Sequence, residues 1–217
     1  VPPAAALPVS RGPFVSIEGG EGAGKSTVIA ALCDALAAAG HEVVRTREPG
    51  GTPEGEAIRA LLLDPARTLR PEAELLLMFA SRAQLVHTLI APALARGAAV
   101  VADRFTDASF AYQGGGRGID AGRIAELERW AAGVRPDLTF LLDVGVAQGM
   151  ARARARGGEP DRIEAEHDAF FERVRATYLA RAAAEPGRFR VIDASRPVDA
   201  VLADVRARLD EWLAARG

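Results

Sequence analysis

Short apolar runs alternate along the chain with longer stretches in which apolar residues recur at helical spacing. Residues 14–18 (FVSIE), 41–46, 98–103 (AAVVAD), 138–144 (LTFLLDV) and 189–193 read as strands. The intervening patterns predict helices over 25–39, 53–63, 71–96, 146–156 and the stretch from the end of a glycine-rich turn at 114–118 through residue 132. Two more helices are expected, a long one from about residue 161 through 184 and a last one ending near 215. Gly40 and Gly97 are stop signals, and Pro53 and Pro71 open the helices they precede. Strand and helix in strict alternation predict an α/β fold, a five-stranded parallel sheet with helices on both faces and right-handed crossovers.

A chain of 217 residues, 49% hydrophobic and 26% charged, suits one such domain. A net charge of -2 lacks the basic excess of a protein built to lie on nucleic acid. No stretch approaches the roughly 18 consecutive apolar residues of a membrane span. Residues 1–12 carry too much proline for a signal peptide and are expected to form a flexible tail ahead of a single domain over 13–217. A cytoplasmic setting follows as the expectation. One cysteine, Cys33, excludes an intrachain disulfide and a cysteine metal cluster, and three scattered histidines show no ligand spacing.

The loop after the first strand carries the clearest chemistry. Gly19-Gly20-Glu21-Gly22-Ala23-Gly24-Lys25-Ser26 matches G-x-x-x-x-G-K-[ST] in full, with Thr27 next in line, and Lys25 is the only lysine in the chain. Glycines let backbone N–H groups wrap close to polyphosphate oxygens, and the N-terminus of the following helix adds partial positive charge. Lys25 can then bridge the β- and γ-phosphates of ATP while the Ser26 hydroxyl ligates Mg²⁺. The motif leaves a predicted strand and opens a predicted helix, which is the context it requires.

Two further strand ends point to a phosphate acceptor. Asp103-Arg104-Phe105 closes the third strand, where an Asp can hold the Mg²⁺ shell or orient the acceptor, and an Arg can clamp a phosphate with paired donors. A strand-end ion pair is the lesser alternative. Arg47 stands at the end of the second strand, before Glu48-Pro49-Gly50-Gly51.

With these residues in view, the chain resembles bacterial thymidylate kinase from about residue 13 to the end. The segments that carry the likeness are FVSIEGGEGAGKST, TREPGGTPEGEAIRALLL, ELLLMFASRAQL, DRFTDASFAYQGGGRGI and ARARARGGEPDRIE. The resemblance implies a three-layer P-loop kinase fold, phosphoryl transfer from MgATP to dTMP, and a homodimer. It implies that Arg47 and Arg104 bind the thymidylate phosphate and that Glu21 lies near the sugar 3′-hydroxyl. Arg82 would donate to thymine O4, Ser109 and Gln113 would meet the polar edge of the base, and Tyr112 would crowd out a 2′-hydroxyl. On its own, Arg82 reads more readily as a solvated helix residue or a surface ion pair, and the surrounding segment reverses that reading. Where much of the family has an aromatic ring stacked on thymine this chain has Met78, with Phe79 beside it, so either side chain can cover the base.

Arg152, Arg154, Arg156 and Arg162 flank Gly157-Gly158-Glu159-Pro160. Such a run is ordinarily an exposed charged helix with a loop. The kinase reading is a small mobile lid over about 150–163, because the P-loop offers Glu21 and no arginine to the moving phosphoryl group. The resemblance places the transition-state charge on Arg156 or Arg162 and sets Arg152 toward the adenine. It also matches Asp193-Ala194-Ser195-Arg196 to an adenine-contacting loop. Kinases for dUMP or UMP, a P-loop ATPase switch and a nucleic-acid binder are the rival classes.

Overall fold

The structure is a computed structural model that describes residues 11–155, 157 and 159–216. Five parallel strands, β1 (Phe14–Gly19), β2 (Val43–Arg47), β3 (Ala99–Asp103), β4 (Leu138–Asp143) and β5 (Phe189–Asp193), form one sheet in the order β2-β3-β1-β4-β5. From β1 the chain crosses to the edge strand β2, returns to β3 beside β1 and then crosses over to β4 and β5, so the sheet has a topological switch point beside β1, where ligands of open α/β sheets bind.

Alternation along β1 explains the two helical layers. Val15 and Ile17 face α1 (Lys25–Ala38) and α9 (Val198–Ala214), in a core shared with Leu32, Phe140, Ile192 and Leu209. Cys33 packs half-buried against that layer. Phe14 faces the other side, against the apolar face of α3 (Pro71–Leu85) and α4 (Ala91–Ala95). A third cluster joins Leu141 and Phe189 to α8 (Asp168–Ala184) through Phe171, Val174 and Tyr178.

Five local expectations are corrected. The 71–96 helix is interrupted by a π-helical segment, Val86–Ile90, before α4. Pro92 lacks the N–H that would bond residue 88, and the widened turn accommodates that loss. This continuous run, Pro71–Ala95, is long and apolar enough by length and composition to cross a membrane. Here Leu75, Phe79, Leu85, Val86, Ile90 and Leu94 are buried within the domain.

The turn expected at 114–118 begins as helix instead. After α2 (Pro53–Leu63), α3, α4 and β3, the short α5 (Thr106–Ser109) continues into a π-helical segment, Phe110–Gly116, ahead of α6 (Ala121–Leu127). The glycines serve close packing: a Cβ on Gly115 would lie 2.1 Å from Thr177 Oγ1 and one on Gly116 2.4 Å from the Phe170 ring. The helix expected from 161 to 184 starts only at Asp168, because the Asp161 carboxylate accepts from the Ile163 and Glu164 N–H groups and holds a turn. Residues 11 and 12, expected in the tail, are tied down: Arg11 pairs with Asp137 at 2.6 Å and the Gly12 N–H donates to Leu94 O. The rest of the tail, residues 1–10, lies outside the described residues. Finally, β2 begins two residues later than expected and extends to Arg47.

Candidate active site

The loop between β1 and α1 ends on Gly24, a left-handed N-cap with φ 88°, so the first turn of α1 presents Lys25, Ser26 and Thr27. Lys25 Nζ lies 3.0 Å from Gly20 O and 3.3 Å from Gly19 O. Burial lowers its pKa, and the neighbouring Arg104 lowers it further. Gly22 has φ 66°, and a Cβ there would meet Gly149 O at 2.0 Å. The loop is thereby packed directly on α7 (Val146–Ala155). From α7, Arg152 donates to Ala194 O at 2.7 Å and Ser195 O at 3.3 Å. The arginine-rich helix and the loop after β5 are thus joined on one flank of the P-loop.

The side of the cleft that carries Arg47, Asp103 and Arg104 is assembled by strand register. Arg47 pairs with Asp103 across β2 and β3, and Asp103 pairs with Ile17 across β3 and β1, so all three strand ends converge on the P-loop. Arg104 follows with φ 69°, in the left-handed region that a non-glycine residue enters only under constraint. Its guanidinium donates to Gly19 O (2.9 Å) and Glu21 Oε1 (2.8 Å) and stacks 4.8 Å from the Tyr112 ring centroid. Tyr112 donates to the same Glu21 oxygen at 3.0 Å. Beneath them the buried Glu18 accepts from the Phe105 N–H at 2.7 Å and from the Tyr178 hydroxyl at 2.7 Å, which pins the backbone just after the strained residue and ties it to α8. Burial, and then the nearby Asp107, push the Glu18 pKa up to about 8.

A cleft of about 630 Å³ opens between these parts. Glu21 through Thr27, Arg47, Met78, Asp103, Arg104, Tyr112 and Gln113 line it, as do Arg152, Asp161 and Ile163 from the expected lid and Glu164 just beyond it. The P-loop groups and the strand-end arginines therefore face one space, and Arg152, Asp161, Ile163 and Glu164 lie along it.

Several sequence candidates sit elsewhere. Arg82 is 2% exposed and lies behind the cleft wall, paired with Glu48 at 2.6 Å and donating to Ser109 Oγ and Phe105 O. Phe79 is buried under that guanidinium, 4.5 Å from ring centroid to Cζ, so Met78 rather than Phe79 faces the cleft. Ser109 is buried with Arg82 for the same reason. Arg162 turns from the cleft to donate to Leu62 O and Glu74. Arg196 pairs with Asp204 at 2.7 Å. Arg156 lies outside the described residues.

Arg59 of α2 is a cleft-lining cation that the sequence patterns did not single out; it donates to Pro49 O at 3.0 Å. Its position inside an ordinary amphipathic helix gave no local signal. Glu18 was equally silent as one polar residue in a buried strand, because its partner Tyr178 is 160 positions away.

The family profile described as thymidylate kinase matches residues 17–205. The chain belongs to the thymidylate kinase family. It is 61% identical over 210 residues to a thymidylate kinase of Chromohalobacter salexigens, covering 95% of this chain and 99% of that protein. A thymidylate kinase of Methylococcus capsulatus is 56% identical over 207 residues, 95% of this chain and 99% of its own length. Among solved structures, the crystal structure of thymidylate kinase from Ehrlichia chaffeensis superposes with a TM-score of 0.75 at 33% identity, covering 92% of this chain and 99% of that one. The three-layer P-loop kinase fold and the phosphotransferase class of the thymidylate kinase family account for the architecture of the cleft.

Phosphoryl transfer from ATP generally uses a nucleotide-bound metal ion. Among the described residues no group of three or more His, Cys, Asp or Glu side chains can cage a metal. That suits Mg²⁺, which is held by one or two protein oxygens together with substrate phosphates. Ser26 and Asp103 supply hard oxygen donors to the same cleft as Lys25.

Proposed function

We propose that the cleft binds MgATP and dTMP together and transfers the γ-phosphoryl group directly to the dTMP phosphate, giving ADP and dTDP. The observation that carries this reading is the convergence of Lys25, Arg47 and Arg104 on one cleft from three adjacent strand ends. Lys25 and the P-loop N–H groups hold the donor phosphates, and Arg47, Arg104 and Arg59 offer cations to the acceptor phosphate. Glu21 and Tyr112 share a hydrogen bond at the place suited to the sugar. Met78 covers the base, Gln113 reads its polar edge, and Arg82, held rigid by Glu48 and Phe79, faces the same edge through the wall it shares with Ser109. Ser26 and Asp103 would hold Mg²⁺, Asp103 partly through water; the ion supplies charge neutralisation between the β- and γ-phosphates.

The lid over 150–163 closes the cleft and excludes water. Arg152 fastens its base to the loop after β5, and Arg156 or Arg162 would supply the transition-state charge. Arg162 would have to leave Glu74 to meet the phosphoryl group. Turnover needs no covalent enzyme intermediate, because both substrates lie in one cleft. A cytoplasmic setting fits an enzyme that consumes ATP and makes a precursor for DNA synthesis. The exposed Trp130 (83%) and Leu76 (58%), which border one groove between α3 and α6, form the face proposed for a homodimer. Chromatographic separation of nucleotides after mixing MgATP with dTMP tests the reaction. Stoichiometric ADP and dTDP support direct transfer; ADP and inorganic phosphate without dTDP contradict it.

A further inference from the structure

Gln113 is fully buried, lines the cleft, and has two chemically opposite ends. Its Nε2 donates to Glu74 Oε1 at 2.9 Å. Among the described residues its Oε1 has no hydrogen-bond partner. Glu74 is itself 1% exposed and occupied on every side: Arg117 Nε reaches Oε1 at 3.3 Å, and Arg162 reaches Oε2 at 2.7 Å. Burial raises the Glu74 pKa, but the bonds from Gln113, Arg162 and Arg117 outweigh it, so the group is held below its ordinary value and stays ionised. An ionised carboxylate accepts and never donates. Only the amide nitrogen of Gln113 can therefore face Glu74, and the carbonyl must face the other way.

We infer that Glu74 is a specificity-determining positioning residue: by claiming the Gln113 nitrogen, it commits the Gln113 carbonyl to accept from the base. A pyrimidine whose ring N3 carries a hydrogen, thymine or uracil, satisfies that carbonyl. Cytosine presents a bare N3 acceptor there and leaves two acceptors facing each other, a buried mismatch that disfavours binding. This inference rests on the reading that Gln113 meets the base edge. Glu74 touches neither substrate; it acts through Gln113, and the same carboxylate also holds the lid arginine Arg162.

The substitution Glu74→Gln gives a directional test. Arg117 and Arg162 can donate only to the new carbonyl oxygen, which leaves the new amide nitrogen toward Gln113. Gln113 must then offer its own oxygen to that nitrogen and turn Nε2 to the base. The quantity to read is the ratio of Kd for dCMP to Kd for dTMP by titration calorimetry, in the intact protein. It should fall about tenfold or more in Glu74→Gln, the size of a buried donor–acceptor mismatch. It should also fall in Gln113→Ala, and adding Glu74→Gln to Gln113→Ala should change it no further. A purely structural Glu74 would weaken both nucleotides alike and leave the ratio in place. An unchanged ratio in Glu74→Gln, with a fall in Gln113→Ala, overturns the inference and leaves the Gln113 reading standing. An unchanged ratio in Gln113→Ala overturns both. Should Glu74→Gln not fold, Glu74→Asp keeps the charge for both arginines but withdraws from Gln113, and the same outcomes apply.

Discussion

The Tyr178 hydroxyl donates to Glu18 Oε2 at 2.7 Å, joining α8 to the strand that launches the P-loop. The other Glu18 oxygen holds the Phe105 N–H, next to Arg104 with its left-handed backbone. One buried carboxylate thus braces both the donor loop and the residue proposed to hold the acceptor phosphate. Because its pKa in the folded state is raised to about 8, the folded protein binds this proton more tightly than the unfolded chain does. The stabilisation is complete below the unfolded value and is lost as pH rises through the folded one.

The expected consequence is a fall in stability on the order of 1 kcal/mol per pH unit between roughly pH 5 and 8 from this group. Glu18→Gln should remove that slope, which urea titrations of both proteins at pH 6 and pH 8 will read. Parallel pH profiles for the two proteins would mean that Glu18 does not carry the proton.

Lys25→Ala should lower kcat by about 10³-fold, the loss typical of removing a preorganised charge from a transition state. The fold should survive, since among the described residues Lys25 donates to carbonyls of Gly19 and Gly20, at the end of β1 and the start of its own loop. Circular dichroism controls for folding, and wild-type turnover would contradict the role assigned to the lysine.

Arg82→Ala strips Glu48 of its partner in a site where both are almost fully buried. Breaking such a pair costs about 3–5 kcal/mol, because an uncompensated charge remains inside. A large drop in Tm is expected, together with a rise in KM for dTMP much greater than that for ATP. Equal changes in both KM values would place Arg82 outside the acceptor side.

Trp130→Glu should convert a dimer into a monomer in sedimentation experiments while leaving the far-UV circular dichroism close to wild type, because the indole is mostly exposed on the protomer and supports little of its core. An unchanged mass would remove this face from the proposed interface.

The sheet was legible in sequence because five apolar runs of five to seven residues are bounded by glycine, proline and charged residues, and β5 and α2 appear at the residues expected. The P-loop was legible because its chemistry is local: one loop holds every group. What sequence did not reveal was which polar residues are buried and whom they meet. Arg82 has the spacing of a surface helix residue, and only the packing of α3 against Glu48 and Phe105 makes it an interior ion pair. Asp107 carries no local sign of burial, yet it is fully buried between Arg181 and Arg188. Gly115 and Gly116 looked like a turn because a glycine run has the same composition whether it bends the chain or admits a neighbouring helix. Each of these depends on a partner dozens of positions away.

The central claim is that this cleft accepts dTMP. It is tested most directly by ADP release, followed in a coupled assay with MgATP and a panel of nucleoside monophosphates. Strong activity with dTMP, weaker activity with dUMP and negligible activity with dCMP and UMP is the predicted result. ADP release that is the same with every acceptor, or with none, would contradict it.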